Sequence, residues 1–278
     1  MGYYRNKNIL ITGAFGGFGL CFISELLDKG ANLILSDMPK GDSSAPGCAG
    51  NLPGICSGRE NQILSVIPAD LSTAEGCRTL YDEYRKLGIS LDMIIHNAGI
   101  AFGGEYVDIP PDLNEKVVAL NLVSVMRLNT LFLPDLISRK SGHLIYVSSV
   151  AGIVATPLGV SYSTSKFGVR AFAMALHGEI RKHGIRTTIV YPFFSKTPIL
   201  KSRVFGNPKV SFLPGFCASS PGHVVSCTLS GAEKSKLHIR PGFFSKVMWL
   251  AVRFYPVISP QREILGYSWK DGMQTREK

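Results

Sequence analysis

Short apolar runs alternate with amphipathic stretches along most of the chain. The apolar runs are rich in isoleucine, leucine and valine and predict buried strands, at 8–12, 31–36, 63–68, 91–96, 142–147, 186–191 and 236–240. Between them, apolar positions recur at helical spacing, at 20–27, 73–87 (with Ser72 as the expected cap), 113–136 and 221–232. The pattern predicts an α/β fold: a doubly wound, Rossmann-type parallel sheet of about seven strands with helices on both faces.

A glycine-rich turn follows the first predicted strand. Gly13, Gly17 and Gly19 stand at the spacing Thr-Gly-x-x-x-Gly-x-Gly, with a strand before the turn and a helix after it. Bare backbone at such a turn lets a pyrophosphate approach the amino end of the helix. We therefore predict a dinucleotide site at this turn, which also contains Phe15 and Phe18.

An acidic residue, Asp37, ends the second predicted strand. A carboxylate at this position accepts hydrogen bonds from the ribose hydroxyls of adenosine and repels a 2′-phosphate. The glycine turn contains no lysine or arginine that would bind such a phosphate. The sequence favours NAD over NADP, and an NADP-dependent carbonyl reductase is the alternative. Asp37 could instead serve only as a helix or turn cap.

Two further strand ends carry small or polar residues. Asp70 and Leu71 follow the third strand, where an acid and a backbone amide can meet an adenine ring. Asn97, Ala98 and Gly99 follow the fourth, where small residues let the chain pass close to a cofactor ribose. The amide of Asn97 can also tie neighbouring strands together. We assign all five residues to cofactor binding.

Tyr162 and Lys166 stand four residues apart in a polar stretch and would share one face of a helix. The reference pKa of a phenol, about 10, is too high for proton exchange at neutral pH. An ammonium group one turn away favours the phenolate and is expected to lower that pKa. Such a pair is common on helix surfaces, so its meaning depends on the rest of the chain.

Together these residues make the sequence similar to the short-chain dehydrogenase/reductase family, in its single-domain branch. The matching positions keep the family's order and spacing over about residues 5–200: Thr12, Gly13, Gly17, Gly19, Asp37, Asp70, Leu71, Asn97, Ala98, Gly99, Asn121, Ser148, Ser149, Tyr162, Lys166 and 192–197. The resemblance implies hydride transfer between NAD and an alcohol or ketone, coupled to proton transfer. It also implies a homodimer or homotetramer that contacts its partner through the helices around Asn121 and Tyr162.

The resemblance implies a catalytic role for four residues. Tyr162 exchanges a proton with the substrate oxygen, and Lys166 holds the nicotinamide ribose and stabilises the phenolate. Ser149, thirteen residues before Tyr162, hydrogen-bonds the substrate oxygen, whereas Ser148 is structural. Asn121 bends its helix locally and holds a water molecule in a proton relay.

The segment that follows the sixth strand departs from the family pattern. Phe193 replaces a usual glycine, and Ser195 replaces a usual valine or isoleucine. Pro192 and Thr197 are retained, so carboxamide binding by Pro192, Ser195 and Thr197 is still expected. His96 replaces a usual asparagine and is interpreted as a packing residue rather than a metal ligand, and we predict no metal site.

An aromatic, proline-broken segment at 199–216 predicts a lid over the substrate, extending to about residue 232. The residues expected to line the cavity beneath it are Phe102, Val150, Val154 and Phe193, with Ser149 and Tyr162 at the polar end. Such a pocket favours a small lipophilic substrate, a secondary alcohol or ketone of steroid, retinoid or lipid type.

The sequence divides into an oxidoreductase domain, 1–241, and a basic apolar tail, 242–278. The tail is similar in composition to the C-terminal segments of membrane-associated steroid and retinol dehydrogenases. Its residues 243–258 are too short and too charged to span a bilayer. They either lie in a membrane interface, as a peripheral contact, or pack as a helix that closes the pocket or a dimer contact.

The net charge of +10 is concentrated near the C-terminus, where residues 234–278 hold nine lysines and arginines against three acids. This distribution suits an anionic membrane surface, and we expect no nucleic-acid partner. A catalytically idle NAD-binding adaptor for membrane or RNA is the rival hypothesis from another class. The six cysteines lack metal-ligand spacing and indicate reduced thiols. With no visible signal peptide and no segment of membrane-spanning length, we predict a cytoplasmic protein whose 39–61 insert is an irregular surface loop.

Overall fold

The computed structural model describes residues 2–38, 53–206 and 218–254. Within these ranges, parallel strands form a seven-stranded sheet in the order β3-β2-β1-β4-β5-β6-β7. They are β1 Asn8–Thr12, β2 Asn32–Asp37, β3 Ile63–Pro68, β4 Met93–His96, β5 Gly142–Val147, β6 Ile185–Val190 and β7 His238–Ile239. The order reverses between β1 and β4, which is the kind of switch point where doubly wound sheets bind ligands. The predicted fold class is confirmed.

Helices cover both faces of the sheet because the strands are apolar on both sides. They are α1 Gly17–Asp28, α2 Ala74–Lys86, α3 Pro111–Val118, α4 Ser124–Ser138, α5 Val160–Ile180, α6 Pro221–Glu233 and α7 Gly242–Phe254. Helices α1 and α6 pack with one face of the strands, around Phe22 and Leu229. Helices α2, α4 and α5 pack with the other, around Leu80, Phe132 and Val169.

The N-terminal cap of α2 lies one residue later than predicted. Thr73, in extended conformation, accepts a hydrogen bond from the Gly76 amide at 2.9 Å. Ser72 instead donates its hydroxyl proton to Asp70 Oδ1 at 2.6 Å. The hydroxyl of Ser72 is therefore engaged by the strand end, which leaves the capping position to Thr73.

The predicted 39–61 insert lies mostly outside the described residues. Its described end contains two short 3₁₀ turns, Gly54–Cys56 and Glu60–Gln62. Cys56 is fully buried in the cluster that includes α1, and Gln62 donates its side-chain amide to Ala31 O at 2.9 Å. This end of the insert is thus attached to the outer side of α1.

One helical run, Pro111–Ser138, is long and apolar enough by length and composition to cross a membrane. This corrects the expectation that no segment reaches that length. The run comprises α3, a π-helical turn at Ala119–Val123 and α4. It buries Leu128, Phe132 and Leu136 against the sheet and its neighbouring helices, as expected of a core helix.

A buried polar cluster surrounds His96 at the end of β4. The imidazole stacks on the Tyr146 ring, with centroids 5.0 Å apart. The Asn129 side chain accepts a hydrogen bond from the Tyr146 hydroxyl at 2.8 Å and lies 3.2 Å from His96 Nε2. The packing role predicted for His96 is confirmed.

We expect stability to fall on acidification, because two buried histidines resist protonation. Burial lowers the pKa of both His96 and His143 to about 3. Below the ordinary histidine pKa of about 6.5, each of these histidines binds a proton in the unfolded chain but stays neutral in the folded chain. Stability is therefore complete above pH 6.5 and is lost as the pH falls towards 3. Between pH 6.5 and 5 the loss should reach about 2 kcal/mol per histidine.

Urea unfolding at a series of pH values measures this effect. The His96→Asn variant, which keeps a polar side chain of similar reach, should lose about half of the pH dependence. Its stability at pH 8 serves as the reference for the cost of the substitution itself. An unchanged pH dependence in this variant would contradict the assignment.

Candidate active site

The carboxyl ends of β1, β4, β5 and β6 meet at one edge of the sheet, and the glycine turn forms its floor. Gly13 has a left-handed backbone, φ +63°, and a β-carbon there would lie 2.7 Å from Ala98 Cα. A β-carbon on Gly19 would lie 2.3 Å from Gly13 O, and one on Gly17 would lie 2.7 Å from Thr197. Side chains at these positions would collide with neighbouring atoms of the protein, so the close packing of this turn requires glycine, as in a turn that binds a pyrophosphate.

Polar side chains lock the glycine turn to the end of β4. Asn97 donates its amide protons to Thr12 O at 3.1 Å and Gly13 O at 2.8 Å. The Thr12 hydroxyl accepts from the backbone amides of Asn97 and Ala98, each at 3.1 Å. The strand-tying role predicted for Asn97 is present, and it holds the cradle rigid.

Asp37 ends β2 with its carboxylate turned towards the glycine turn. Its Oδ2 accepts from the Phe15 amide at 2.7 Å, and its Oδ1 accepts from the Met38 amide at 2.8 Å. The negative charge therefore sits beside the turn that would hold the adenosine phosphate. Phe18, in the first turn of α1, packs partly buried against the core.

The end of β3 is less open than expected. One carboxylate oxygen of Asp70 accepts from the amide and hydroxyl of Ser72, and the Leu71 side chain is buried in the core. The predicted contact with an adenine ring stays a prediction, since it would depend on the remaining atoms of this turn.

Burial raises the pKa of Tyr162, and the neighbouring Ser149 side chain opposes this rise. The expectation that Lys166 lowers this pKa is therefore wrong for the structure as described. Lys166 Nζ lies 5.7 Å from the centroid of the Tyr162 ring, and burial is the larger effect.

The Lys166 side chain reaches inward and is almost completely buried. Its ammonium group donates to Val147 O at 2.9 Å, and burial lowers its pKa to about 8. It therefore stays charged at neutral pH. A β-carbon on Gly99 would lie 3.5 Å from Nζ, so the chain after β4 passes directly beside this charge.

Asn121 lies in the π-helical turn between α3 and α4, where the resemblance implied a local bend. Its side chain pairs with both backbone groups of Ile100, each at 2.9 Å, and donates to Ser165 Oγ at 3.1 Å. The Ser165 hydroxyl donates in turn to Tyr162 O at 2.7 Å. Asn121 is thus connected to the tyrosine's helix and to the loop after β4, and its part in a proton relay stays a prediction.

The geometry agrees with the result of a family comparison. A family model for short chain dehydrogenases matches residues 7–206. The chain belongs to this family. The recognition and the enzyme class predicted from the sequence, an oxidoreductase, are thereby confirmed.

Similar proteins of this family include human epidermal retinol dehydrogenase 2, 33% identical over 211 residues, which cover 74% of this chain and 65% of the relative. The very-long-chain 3-oxoacyl-CoA reductase of Anas platyrhynchos is 30% identical over 198 residues, which cover 69% and 61%. The chain thus aligns with somewhat less than two thirds of the length of these relatives.

Solved structures of the family share the fold. A short chain dehydrogenase/reductase from Burkholderia phymatum in complex with NAD superposes with a TM-score of 0.71 at 21% identity, covering 86% of this chain and 90% of that one. A short-chain dehydrogenase from Sphingobium yanoikuyae in complex with NADPH gives 0.73 at 21%, covering 93% and 97%. Dinucleotides of both kinds therefore occur in this fold.

Ser148 has the structural role expected of the first serine in this short-chain dehydrogenase. Its hydroxyl donates to Lys166 O at 2.9 Å, and its amide donates to Val190 O at 3.0 Å. A β-carbon on Gly152 would lie 2.5 Å from Lys166 O. The turn after β5 is therefore pressed against α5, which fixes the position of Ser149 relative to Tyr162.

Four residues that sequence reasoning missed hold the start of α5. Ser161 donates to Asn114 Oδ1 at 2.6 Å, and the Ser163 hydroxyl lies 2.9 Å from that of Thr156. These bonds anchor the residues on both sides of Tyr162. Asn114 is 47 positions from Ser161, so no local pattern signals the contact.

The segment after β6 reaches both the cofactor and the substrate side. Pro192 O accepts from the Val150 amide at 2.9 Å, which joins this segment to the turn that carries Ser149. Ser195 is buried, and its carbonyl accepts from the Thr197 amide at 2.6 Å. Thr197 also contacts the glycine turn, through Gly17. Carboxamide binding by these residues stays a prediction.

Aromatic rings surround the predicted substrate side. Phe193 stacks on Phe244 of α7, with centroids 5.6 Å apart. Phe102 and Phe205 meet edge to face at 6.1 Å, and backbone bonds between 103 and 203–205 hold these loops together. Val150 and Val154, which follow Ser149 in the chain, are buried. The lid residues 207–217 lie outside the described ranges, so the lid remains a prediction there.

Proposed function

We propose that this protein is an NAD-dependent oxidoreductase that interconverts a lipophilic secondary alcohol and its ketone. The observation that carries the proposal is the buried ammonium of Lys166, 5.7 Å from the centroid of the Tyr162 ring, with the Ser149 side chain near enough to lower the pKa of that phenol. The three groups lie where the carboxyl ends of the strands open beside the glycine cradle.

In the proposed mechanism, Tyr162 transfers a proton to the ketone oxygen or removes it from the alcohol. Ser149 donates a hydrogen bond to the same oxygen and stabilises the charge that develops on it. Lys166 keeps a positive charge near the phenol and can hold a ribose hydroxyl. When bound, the nicotinamide ring supplies or accepts the hydride. Asn121, linked through Ser165 to the helix of Tyr162, would hold the water that returns the proton to solvent.

The preference for NAD rests on the carboxylate of Asp37. That charge is fixed by two backbone amides at the end of β2 and would repel a 2′-phosphate at the adenosine ribose. An NADP-dependent carbonyl reductase is the alternative, since relatives of the same fold are seen with NADP-type cofactors.

The lipophilic substrate is inferred from the rings around the site. Phe102, Phe193, Phe205 and Phe244 are in contact in two pairs, and the guanidinium of Arg203 lies over the Phe205 ring, 4.4 Å from its centroid. A pocket lined in this way binds steroid, retinoid or other lipid alcohols better than small charged metabolites. The relative named a retinol dehydrogenase adds support for this class.

A panel of alcohols tests the proposal. The full chain with NAD should form NADH, followed by absorbance, from lipophilic secondary alcohols and not from glycerol or lactate. The same panel with NADP gives the control for the cofactor. If NAD binds by calorimetry and no alcohol yields NADH, the protein is instead the catalytically idle adaptor.

We further propose a cytoplasmic homodimer with a peripheral membrane contact. An apolar stripe on α4 and α5 would form the dimer interface, with Met126, Phe167 and Met174 exposed along it. The outward face of α7 would contact the membrane, since Phe243 is 72% and Leu250 55% exposed. Within this proposal the residues up to 241 form the catalytic domain, and α7 belongs to the tail that follows.

A further inference from the structure

Helix α7 is apolar on two sides. Its inner side packs into the core through Ser245, which is fully buried, and through Met248, Trp249 and Val252. Its outer side exposes Phe243, Phe244, Val247 and Leu250. The residues 243, 247 and 250 recur at helical spacing and therefore form one continuous face. Lys246 is exposed beside that face.

Beneath α7 lies a cluster of four basic side chains that the proposed reaction does not use. The guanidinium of Arg240 lies 3.7 Å from the centroid of the Trp249 ring, and the guanidinium of Arg170 lies 5.1 Å from it. His238 packs against the same indole at 5.4 Å. All of these side chains are partly exposed; Arg170 also donates to Gly152 O at 3.4 Å, and His238 Nδ1 lies 3.0 Å from the Tyr191 hydroxyl.

His177 extends the cluster along α5. It stands seven residues, or two helical turns, after Arg170 and therefore shares its face. Its Nδ1 is buried and has no hydrogen-bond partner among the described residues. Burial, Arg240, Arg170 and His177 lower the pKa of His238. Every charged group that acts on His238 within the described ranges is thus basic.

We propose that Arg170, His177, His238 and Arg240 form a site for the phosphate of an anionic phospholipid, with the outer face of α7 inserted among the acyl chains. This inference deepens the membrane contact proposed above and rests on it. An apolar face bordered by basic groups is the pattern that binds anionic bilayers. The positive charges of Arg170 and Arg240 would attract the phosphate.

Other occupants fit these features less well. Nucleic acid would use the positive charge, yet four exposed apolar side chains on α7 would gain nothing from its backbone. A second copy of this chain on a two-fold axis would bring an identical positive cluster to the contact. An anionic bilayer uses both the charge and the apolar face.

Cosedimentation of the full chain with vesicles tests the site. One vesicle preparation contains phosphatidylcholine alone, and the other contains phosphatidylcholine with phosphatidylserine. The unmodified protein should bind the anionic vesicles, and added salt should weaken that binding. The double variant Arg170→Gln/Arg240→Gln should bind them about tenfold more weakly. The double variant Arg170→Lys/Arg240→Lys, which keeps the charge, should retain most of the binding.

A matched control is available at the far end of α5. Arg181→Gln/Lys182→Gln removes the same charge from two exposed residues and should leave binding nearly unchanged. Equal losses in the two glutamine variants would overturn the site, as would equal binding to both kinds of vesicle. Release of the protein from vesicles by an equal concentration of inorganic phosphate would show a free-anion site and overturn the lipid assignment.

Folding and catalysis are measured separately from lipid binding. Thermal melting shows whether the Arg170→Gln/Arg240→Gln variant is folded, and if it is not, the salt dependence and the lysine variant still decide. Sedimentation involves no turnover, so loss of the lipid site would leave NADH formation from a soluble alcohol as evidence for the reaction. Conversely, an inactive protein that binds anionic vesicles would contradict only the reaction.

Discussion

Tyr162→Phe should lower the turnover of the preferred alcohol by about 10³-fold, within the range expected when a general acid–base group is removed. The phenylalanine keeps the ring and its place on α5 but lacks the hydroxyl that exchanges a proton with the substrate in the proposed reaction. The affinity for NADH, measured by fluorescence, should change by no more than about twofold, because the lost group acts on the substrate oxygen. Steady-state kinetics at saturating NAD measures the effect.

Tyr106→Phe is the matched control, since Tyr106 is 55% exposed and takes part in no proposed step. It should retain full activity. Turnover by the Tyr162→Phe variant at the rate of the unmodified protein would remove the basis for the assignments of Ser149, Lys166 and Asn121 as well. Loss of both activity and NADH binding would instead indicate a general disturbance of α5.

The protonation state of Tyr162 bears on the direction of the reaction. Burial raises the pKa of Tyr162, so the hydroxyl is protonated at neutral pH in the structure as described. That form is ready to donate a proton to a ketone, whereas alcohol oxidation requires the phenolate. Oxidation should therefore become faster as the pH rises, with Lys166 contributing less charge above its pKa of about 8.

The order and type of the main elements were predictable because each strand is a short apolar run bounded by turn residues. The residues at which the strands begin and end were less predictable. Leu91 is buried yet lies before β4, because pairing with β1 starts at Met93. Strand β7 is also shorter than the predicted 236–240, because only His238 and Ile239 pair with β6. Burial and pairing coincide in most strands, and sequence patterns detect only burial.

The candidate site was predictable where one motif follows one strand. Gly13, Asp37 and Asn97 occupy such positions, and the structure places them at the strand ends where the motifs predicted them; their contacts with a cofactor stay predictions. The contact between Ser161 and Asn114, the stacking of Phe193 on α7 and the net effect on the Tyr162 pKa could not be predicted. Each depends on the distance between segments far apart in sequence or on the burial they produce together.

For α7 the sequence left two alternatives, a membrane face and a core helix, and the contacts support both in part. Trp249 packs against Tyr191, with centroids 5.4 Å apart, and Ser245 donates to Tyr191 O at 2.7 Å. The opposite side of the same helix exposes Leu250. When a helix is apolar on all sides, its sequence pattern does not indicate which side faces the core.

Asp37→Ala should raise the preference for NADP relative to NAD by about 100-fold, measured as the ratio of kcat/KM values. Two effects contribute. The carboxylate no longer accepts hydrogen bonds from the ribose hydroxyls of NAD, and it no longer repels a 2′-phosphate. Asp37 Oδ2 accepts a hydrogen bond from the Phe15 amide at 2.7 Å. The alanine leaves this amide free to donate to the 2′-phosphate of NADP.

Asp37→Asn separates the charge from the hydrogen bond, because its side-chain oxygen can still accept from the Phe15 amide. Most of the gain for NADP should persist in this variant if repulsion dominates, while its thermal stability stays closer to that of the unmodified protein than Asp37→Ala does. Asp82→Ala, which removes an exposed carboxylate on α2, should leave the ratio unchanged. Tighter binding of NADP than of NAD by the unmodified protein would show that a single carboxylate at the end of β2 does not set the preference here.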